Sequence, residues 1–397
     1  MAVNLPKTNA LGSSKRITVL GSTGSVGTST LDLVARNREK FTVEALTANQ
    51  NVEALASQAR EFDAKLAVIA DEDRYEDLKS ALSGTSIACA AGPEALKEAA
   101  ARPSELVMAA IVGAAGLAPT LEAVRRGTTV ALANKECLVS AGDIFTQAVT
   151  DHGAILLPVD SEHSAIYQVF DFDQVDHVAR IILTASGGPF RTREIADMRN
   201  VTPAEAVAHP NWNMGAKISV DSATMMNKGL ELIEVFHLFP VDKSAIDILV
   251  HPQSVIHSLV EYVDGSVLAQ MGTPDMRTPI AYAMAWPQRM QAPSPRLDLH
   301  EVGKLTFEDP DPLRFPALRL AREALDAGGA APTILNAANE VAVRRFLDGE
   351  IGFLDISAVV EKTLENVANS AINSLADIVS IDEMARRSAE SDIIRTN

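Results

Sequence analysis

The sequence predicts an α/β protein with an N-terminal doubly wound parallel sheet, a central α/β domain with an open sheet, and a C-terminal helical bundle. Short apolar strands alternate with helical stretches from Arg16 to Asp160, as in a sheet built of βαβ units. After Asp160 this alternation stops, and Asp264-Gly265 joins two strands with a strong hairpin signal. Beyond Pro316 the apolar residues recur only with helical spacing, which predicts the bundle.

The predicted elements follow the chain in three regions. The strands of the first region are Ile17–Leu20, Phe41–Leu46, Lys65–Ala70, Ser86–Ala90, Leu106–Val112, Thr128–Ala133 and Ala154–Val159. Helices are predicted between them, such as Ala115–Arg126 and Cys137–Thr150. The strands of the second region are Arg180–Ala185, Ile246–Val250, Val255–Val263 and Ser266–Met271. The helices of the third region are Ala317–Ala327, Ile334–Leu347, Ile356–Ala368 and Ile381–Arg395.

Two connections are predicted to be irregular. The stretch Ser186–Lys217 is long for a compact domain, and loops of that length are often functional lids. The proline-rich stretch Pro287–Pro316 is predicted to be a linker between the second region and the bundle.

Composition excludes several classes of protein. The net charge of −17 argues against a nucleic-acid or anionic-membrane partner, so a phosphorylated ligand would need a local positive site. The longest apolar run, Val107–Pro119, is too short to span a bilayer, and the first fifteen residues lack the apolar core of a signal peptide. Cys89 and Cys137 are the only cysteines, which rules out a disulfide framework and favours a cytoplasmic location.

A glycine-rich turn follows the first strand, in the segment ITVLGSTGSVG from Ile17 to Gly27. Gly21 permits a tight turn, Gly24 lets backbone N–H groups approach a pyrophosphate, and Gly27 allows close helix–strand packing. The pattern predicts a Rossmann-like dinucleotide site, although its spacing GxxGxxG differs from the commoner GxGxxG. The alternative is a glycine-rich turn that binds no ligand.

The end of the second strand, Leu46-Thr-Ala-Asn-Gln-Asn51, indicates which dinucleotide is bound. NAD-dependent enzymes usually carry an acidic residue there to hold the ribose 2′-hydroxyl, and none is present. A 2′-phosphate is therefore tolerated, although a basic partner for it is also missing. The sequence thus favours NADP.

Three carboxylates form a candidate metal site. Asp160 and Glu162 close the last strand of the first region, where alternate side chains share one side and Ser161 points away. That position at the carboxyl end of a parallel sheet faces the ligand crevice of such folds. With Glu231 added, the oxygen ligands suit Mg²⁺ or Mn²⁺ better than zinc. The alternative is a solvated acidic pair.

A polar segment between His209 and Glu234 is the most informative part of the chain. Its polar side chains are His209, Trp212, Lys217, Asp221, Ser222, Asn227, Lys228 and Glu231. A helix is predicted from Ser222, capped by Asp221 or Ser222, so that Asn227 and Glu231 share a face with Lys228 beside them. Donors near a helix N-terminus suit a phosphate, and the carboxylate one turn later suits a metal. The alternative is a polar helix start with an internal Lys228–Glu231 ion pair.

Taken together, these motifs resemble the 1-deoxy-D-xylulose 5-phosphate reductoisomerase family, from about Arg16 to the C-terminus. The motifs that carry the resemblance are GSTGSVG at 21–27, AAIVGAAGL at 109–117, LANKE at 132–136, PVDSEH at 158–163, SGGPF at 186–190, HPNW at 209–212, SVDSATMMNKGLE at 219–231, HPQSVIHS at 251–258, PDMRTPIA at 274–281 and LNAANE at 335–340.

The resemblance implies an NADPH-dependent enzyme that also needs Mg²⁺ or Mn²⁺, with Co²⁺ as a further option. It would isomerise and reduce a small phosphorylated sugar, 1-deoxy-D-xylulose 5-phosphate, to 2-C-methyl-D-erythritol 4-phosphate in non-mevalonate isoprenoid biosynthesis, as a homodimer. The implied domains are an NADPH-binding Rossmann-like domain at 1–160, a catalytic domain at 161–295, a linker at 296–315 and a helical domain at 316–397.

The resemblance also implies site residues. The metal ligands would be Asp160, Glu162 and Glu231. The catalytic residues would be Lys135, Glu162 and His209. The substrate would contact Lys135, Ser161, Glu162, Ser186, His209, Trp212, Ser222, Asn227, Lys228 and Glu231. The cofactor would contact Thr23, Gly24, Ser25, Val26, Asn49, Gln50, Asn51, Asn134, Glu136 and Gly215. The loop with Trp212 and Met214 resembles a closing lid.

Three positions depart from the family pattern. Gln50 stands where many relatives carry a basic residue near the 2′-phosphate, which weakens the NADP assignment. Cys137 replaces the usual Ser after LANKE. Ala216 replaces a frequent basic residue in the lid, so that one phosphate contact is missing.

Two other functions share parts of this pattern. A plain NADP-dependent sugar-phosphate or semialdehyde dehydrogenase would share the first domain but not need three acidic ligands, and metal dependence of turnover separates the two. A non-enzymatic ligand sensor would bind nucleotide without turnover, which an NADPH-oxidation assay detects.

Overall fold

A computed structural model describes residues 14–212 and 214–396 of the chain. The sequence predicts that the first fifteen residues are not a signal peptide, and most of these residues lie outside the described part. Within the described part, none of the helices is both long enough and apolar enough to cross a membrane.

The described residues form β-strands and α-helices, numbered here in chain order. The strands are β1 Lys15–Leu20, β2 Phe41–Ala48, β3 Leu66–Ile69, β4 Ala88–Ala91, β5 Leu106–Ala109, β6 Thr129–Leu132, β7 Ile155–Pro158, β8 Val178–Ala185, β9 Ile246–Val250, β10 Ile256–Tyr262 and β11 Val267–Met271. The helices are α1 Ser25–Arg36, α2 Val52–Glu61, α3 Tyr75–Ala81, α4 Pro93–Ala101, α5 Leu117–Arg125, α6 Glu136–His152, α7 Ser161–Val169, α8 Ile195–Met198, α9 Pro203–Val207, α10 Ala216–Ala223, α11 Met226–Leu238, α12 Arg277–Ala285, α13 Leu299–Val302, α14 Pro316–Ala327, α15 Ala331–Leu347, α16 Asp355–Asn366 and α17 Leu375–Thr396.

The chain folds into two compact units. The first unit draws its residues from Met1–Cys137, Phe145–Tyr167 and Asp275–Pro295. The second unit draws its residues from Leu138–Ile144, Gln168–Pro274 and Arg296–Asn397. Helix α6 contributes to both and is interrupted at Ala141, whose φ of −131° is not helical.

The first unit contains a seven-stranded sheet in the order β4-β3-β2-β1-β5-β6-β7. All neighbouring strands are parallel, and each lies at a position predicted from the sequence. The doubly wound parallel sheet is therefore confirmed. Because β1 has β2 on one side and β5 on the other, the chain leaves β1 and β5 in opposite directions along the sheet. Ligands of open α/β sheets bind at such a switch point, beyond the carboxyl ends of the strands.

Helix α12 belongs to the first unit, whereas the sequence placed residues 275–295 in the catalytic domain. The reason is long-range packing: Ile280 and Met284 join the core of the parallel sheet. Arg277 also pairs with Asp32 of α1 at 3.3 Å and with Asp275 at 2.7 Å. Burial alone would raise the pKa of Asp275, but hydrogen bonds from Arg277 hold that pKa below its usual value. The functional roles of the predicted domains stay predictions.

The second unit contains a mixed four-stranded sheet in the order β11-β10-β8-β9. Strands β8 and β9 are parallel, while β10 is antiparallel to both β8 and β11. The predicted hairpin is confirmed, since Tyr262 N–H donates to Ser266 O at 2.9 Å and Gly265 adopts a φ of +85°. The connection Ser186–Lys217 is less irregular than predicted, because it contains α8, α9 and the first residues of α10.

The C-terminal region is helical, as the apolar spacing predicted. Helices α14 to α17 lie within one or a few residues of the four predicted helices, except that α17 begins earlier, at Leu375. Apolar residues of α15 and α17 pack into a common core, which includes Ile334, Ala337, Ile381 and Ala385. The helical C-terminal region is confirmed.

Candidate functional site

The glycine-rich turn connects β1 to α1 in the first unit. Gly21 has a φ of +82°, and a Cβ on it would lie 2.6 Å from Ala110 O, so only glycine fits. A Cβ on Gly27 would lie 2.3 Å from Gly21 O, which confirms its predicted packing role. Gly24 is different: its φ is −78°, and the nearest atom to an added Cβ is Gly21 O at 3.5 Å. The protein's own atoms therefore do not require glycine at position 24.

The N-terminus of α1 is built to accept an anion. No described side chain caps this helix, and its first turn contains no acidic residue. Gly24 and Ser25 are exposed, while Thr23 and Val26 are half-buried. Unpaired N–H groups at the positive end of a helix dipole bind phosphate groups well. The turn thus fits the pyrophosphate of a dinucleotide at the switch point between β1 and β5.

The three amide residues after β2 are exposed, as a 2′-phosphate contact would require. Asn51 also has a structural role in the helix that follows. Its Oδ1 accepts the N–H of Ala54 at 3.0 Å and so caps α2. The cap uses only Oδ1 of Asn51, so its Nδ2 group and the side chains of Asn49 and Gln50 face solvent for a ligand.

Replacing Gln50 by Arg is expected to widen the preference for NADPH over NADH. An amide can donate a hydrogen bond to the 2′-phosphate, but a guanidinium donates a charge-assisted and stronger one. We expect the free-energy difference between NADPH and NADH binding to widen by about 1 kcal/mol, mainly because NADPH binds more tightly. Steady-state kinetics with both cofactors measures the change, and Gln50→Met is the matched neutral control. Unchanged discrimination in Gln50→Arg would show that this loop does not set the preference.

The side chain of Asn134, which follows β6, connects two neighbouring segments through hydrogen bonds. Its Nδ2 donates to Ile111 O and, at 2.9 Å, to Gly113 O, while its Oδ1 accepts the N–H of Cys137 at 2.8 Å. The side chain therefore ties the loop after β5 to the start of α6. Asn134 and Glu136 are both buried. The family resemblance implied that both contact the cofactor, whereas the geometry supports an indirect role for Asn134, in which it shapes the loop.

The candidate metal ligands of the first unit are arranged differently from the prediction. The strand ends at Pro158 and α7 begins at Ser161, so Glu162 lies in the first turn of a helix. The predicted strand alternation of Asp160 and Glu162 is wrong. The physical reason is helix capping, because Asp160 Oδ1 accepts the N–H of Glu162 at 3.3 Å. Ser161 does not point away, since its Oγ donates to Glu162 Oε2 at 2.5 Å.

Lys135 and His163 lie close to the Asp160 carboxylate. Lys135 Nζ is 3.3 Å from Oδ2, and His163 Nδ1 is 3.8 Å from Oδ1. His163 is almost fully buried and was not assigned a role from the sequence, although it closes the PVDSEH motif one helical turn after Asp160. That spacing was the signal that could have identified it. The side chains of Asp160 and Lys135 keep 22% and 13% of their surface exposed, so both remain within reach of a ligand.

In the second unit, Ser186 begins a loop that approaches the end of α10. Gly187 and Gly188 have φ values of +83° and +69°, which favour glycine. A Cβ on Gly188 would lie 2.7 Å from Ser222 O, so glycine permits this close approach. Two of the predicted substrate residues, Ser186 and Ser222, are therefore carried by segments in direct contact.

His209 is oriented by its own loop. Its Nδ1 accepts the N–H of Asn211 at 3.1 Å and that of Trp212 at 2.9 Å. A ring nitrogen that accepts carries no proton, so the proton of a neutral ring is assigned to Nε2. Nε2 lies 3.0 Å from Ser186 Oγ and donates to it. His209 and Ser186 thus form one hydrogen-bonded pair.

The helix predicted from Ser222 begins later. Asp221 and Ser222 belong to α10, and α11 starts at Met226 after a sharp corner at Met225. Met225 is buried and has a φ of +63°, a strained conformation for a residue with a Cβ. The predicted N-caps are therefore wrong, because Asp221 and Ser222 belong to the preceding helix and the first N–H of α11, that of Met226, donates to Thr224 Oγ1 at 3.3 Å.

The side chains on the first two turns of α11 are arranged as predicted. The carboxylate of Glu231 accepts hydrogen bonds from Asn227 Nδ2 and from Lys228 Nζ. Lys228 and Glu231 are almost fully buried, while Asn227 is half-buried. The internal ion pair is confirmed. It does not exclude ligand binding, since the N-terminus of α11 adds a positive dipole beside Asn227 and Lys228.

Trp212 packs against His257 of β10, with ring centroids 6.1 Å apart in an edge-on arrangement. The side chain is half-buried, as is that of Met214. Gly215, at the end of this loop, is exposed and serves as the N-cap of α10. The loop is anchored by Asn211, whose Nδ2 donates to Pro252 O at 2.8 Å and to Ser254 Oγ at 3.1 Å.

Trp212→Ala is expected to lower turnover and substrate affinity with little change in melting temperature. The backbone N–H of Trp212 that holds His209 is retained, and the lost indole is one that could cover bound substrate and exclude water. Trp286→Ala is the matched control, because Trp286 packs against the core of the first unit and its loss should lower stability. A large fall in melting temperature with unchanged catalysis in Trp212→Ala would instead favour a packing role.

The fold and the side chains define a class of protein. A doubly wound sheet with an anion-binding glycine turn indicates a dinucleotide-dependent oxidoreductase. The Ser186–His209 pair and the Asn227–Lys228–Glu231 cluster add a second polar site, suited to a phosphorylated substrate.

Comparison with known proteins identifies the family within this class. The family description "1-deoxy-D-xylulose 5-phosphate reductoisomerase" matches residues 17–142, and the C-terminal domains of the same family match residues 156–239 and 271–388. The 1-deoxy-D-xylulose 5-phosphate reductoisomerase of Rhodospirillum centenum is 64% identical over 375 residues, covering 94% of this chain and 93% of its own. That of Zymomonas mobilis is 59% identical over 372 residues, covering 94% and 96%. The chain belongs to the 1-deoxy-D-xylulose 5-phosphate reductoisomerase family.

Solved structures agree with this assignment. A structure of the Zymomonas mobilis enzyme in complex with NADPH has a TM-score of 0.92 at 57% identity, covering 96% of this chain and 99% of that chain. A structure of DOX-P reductoisomerase in complex with NADPH, fosmidomycin and magnesium has a TM-score of 0.91 at 42% identity, covering 96% and 98%. The predicted family and fold class are confirmed.

Proposed function

We infer that the chain is an NADPH- and divalent-metal-dependent enzyme that converts 1-deoxy-D-xylulose 5-phosphate to 2-C-methyl-D-erythritol 4-phosphate. One observation carries this function: the glycine turn, the carboxylates and the polar site around Lys228 all occur in a chain that matches these reductoisomerases over more than nine-tenths of its length. A relative whose solved structure contains NADPH, fosmidomycin and magnesium supports both cofactors.

The cofactor is assigned to the first unit. The open space at Gly24, where an added Cβ would meet only Gly21 O at 3.5 Å, fits a pyrophosphate against the start of α1. Thr23, Ser25 and Val26 would contact it through the same turn. Asn49 and Gln50 would hold the 2′-phosphate. Asn51, Glu136 and, from the second unit, Gly215 complete the proposed contacts, and Asn134 would act through the loop that it shapes.

The metal is assigned to Asp160, Glu162 and Glu231. This donor set fits a hard divalent cation such as Mg²⁺ or Mn²⁺, because it offers only carboxylate oxygens. When bound, the cation supplies Lewis-acid stabilisation of the negative charge that develops on the substrate's oxygens. Glu162 is kept in place by the Oγ of Ser161, and Asp160 by the N–H of Glu162 and by Lys135.

The substrate's phosphate is assigned to Ser186, Ser222, Asn227 and Lys228. Lys228 supplies the positive charge that the chain's overall negative field requires locally, and the N-terminus of α11 adds its dipole. His209 donates from Nε2 towards Ser186 and would orient it or the substrate. Lys135 would lie beside the reacting carbons, and the indole of Trp212 would exclude water from them.

We propose a homodimer in the cytoplasm, on the evidence of one sheet edge and of the cysteines. Strand β11 ends the second sheet on one side, and Val267 and Leu268 on it are about half exposed. An apolar sheet edge favours pairing with another chain, here a second copy in a homodimer. Sedimentation equilibrium at micromolar concentration checks this. Cys89 and Cys137 are both free thiols, which supports a cytoplasmic location.

The function is tested by NADPH oxidation with 1-deoxy-D-xylulose 5-phosphate, with and without Mg²⁺. Oxidation that depends on both the substrate and the metal, with 2-C-methyl-D-erythritol 4-phosphate detected by mass spectrometry, is the expected result. Turnover without metal would favour a plain dehydrogenase, and nucleotide binding without turnover would favour a ligand sensor.

A further inference from the structure

A network of polar side chains connects helix α15 to the site in the second unit. Asn339 on α15 donates from Nδ2 to Asp221 Oδ1 at 2.8 Å. The other oxygen of Asp221, Oδ2, lies 2.9 Å from Lys217 Nζ, one turn earlier on α10. Asp221 and Asn339 are almost fully buried, whereas Lys217 keeps 24% of its side-chain surface exposed. This hydrogen-bonded network therefore runs from Asn339 in the protein interior to the ammonium of Lys217, which can be reached from solvent.

This arrangement is not what packing alone would select. Asn339 Oδ1 is buried and makes no hydrogen bond among the described residues, so the site carries the cost of a desolvated carbonyl. The orientation of the amide is nonetheless defined, because a flipped amide would place Oδ1 against the carboxylate of Asp221. A buried carboxylate that is shared by an ammonium and an amide is also often less stable than an apolar replacement.

The position of this network indicates its function. Lys217 is two residues beyond Gly215, in the first turn of α10. That turn contains no acidic residue, and no described side chain caps it. Ser222 follows Asp221 directly, on the segment that Gly188 approaches closely. A contact that fixes Asp221 therefore fixes both the half-buried ammonium of Lys217 at one end of α10 and the Ser222 hydroxyl at the other.

We propose that Asn339 and Asp221 are positioning residues that hold Lys217 and α10 for recognition of a phosphate group. This proposal rests on the function inferred above. The phosphate could belong to the substrate or to NADPH, and the arms of the experiment separate the two. The LNAANE motif of α15, which has no other role in the site, thereby contributes to ligand binding from the helical region.

The first experiment compares two asparagines on α15. Asn339→Leu removes the donor to Asp221. Asn336→Leu is the matched control, since Asn336 is equally buried but donates within its own helix, to Glu340 Oε1 at 3.1 Å. The measured quantities are KM for 1-deoxy-D-xylulose 5-phosphate, the inhibition constant of inorganic phosphate against that substrate, the Kd of NADPH by fluorescence, and Tm.

Asn339→Leu is expected to raise both the KM and the phosphate inhibition constant by about tenfold, as for the loss of one hydrogen bond to a charged group. The Kd of NADPH should stay the same if the phosphate belongs to the substrate, and should rise with unchanged phosphate inhibition if it belongs to the cofactor. Asn336→Leu should change none of these three constants. Three unchanged constants in Asn339→Leu would overturn the proposal, as would equal changes in both variants.

Two further variants keep the test decisive if Asn339→Leu folds poorly. Lys217→Met acts at the other end of this network and should give the same shift in binding, together with a fall in Tm, because the buried Asp221 carboxylate loses its ammonium partner. The exchange Asp221→Asn with Asn339→Asp retains a hydrogen-bonded pair but moves the negative charge away from Lys217. It should restore Tm without restoring KM, whereas recovery of both would indicate a purely structural role. Wild-type enzyme without turnover would instead contradict the proposed function, and direct titration with inorganic phosphate and with NADPH would still test the role of Asn339 and Asp221.

Discussion

Glu231→Gln is expected to abolish turnover while leaving NADPH binding nearly unchanged. The substitution keeps the shape of the side chain and one carbonyl oxygen that can still accept from Asn227 or Lys228. It removes the negative charge that the proposed divalent cation requires. Loss of residues that merely support a metal ligand costs about 10- to 100-fold, so loss of a ligand should cost at least that much. The glycine turn belongs to the other unit and should be unaffected.

The measurement is kcat as a function of Mg²⁺ and Mn²⁺ concentration, with NADPH affinity followed by fluorescence. Glu234→Gln is the matched control, because Glu234 is also on α11 and also almost fully buried. The control should keep the metal dependence of the wild type. A Glu231→Gln enzyme that retains the wild-type rate at limiting metal would refute the ligand assignment.

Gly24→Ala and Gly27→Ala are expected to separate cofactor binding from folding. At Gly24 the backbone conformation suits alanine and the added Cβ meets only Gly21 O, at 3.5 Å. The melting temperature of Gly24→Ala should therefore equal that of the wild type, while the added methyl group occupies the space proposed for the pyrophosphate. We expect NADPH affinity to fall by roughly 100-fold or about 2.8 kcal/mol, since each tenfold change in Kd corresponds to about 1.4 kcal/mol.

Gly27→Ala should lose both properties. Its Cβ would lie 2.3 Å from Gly21 O and 2.5 Å from Ser22 Cα, so either the turn or α1 must shift. Forcing an added methyl group into a packed site typically costs about 1–3 kcal/mol of stability. Thermal unfolding and NADPH fluorescence titration on both variants test the pair. Wild-type NADPH affinity in Gly24→Ala would show that the turn does not hold the cofactor.

The sequence by itself determined the parts of this protein that depend on local chemistry. All seven strands of the parallel sheet, the Asp264-Gly265 hairpin and helices α14 to α16 were predictable from the spacing of apolar residues and from turn residues. The role of Gly21 and Gly27 was also predictable, because a tight turn between a strand and a helix imposes the same steric limits in any such unit. The motifs were specific enough to identify the family.

The tertiary structure decided what depends on partners distant in sequence. The spacing of apolar residues could not place Glu162 in a helix, because the preceding strand has only four residues and the helix begins directly after the capping residue Asp160. It could not place the corner at Met225, whose strain is tolerated only where buried neighbours over-determine the conformation. Nor could it assign α12 to the first unit, since that choice rests on packing of Ile280 and Met284 against strands more than a hundred residues away. The Asn339–Asp221 contact spans 118 residues and exists only because the fold brings α15 to α10.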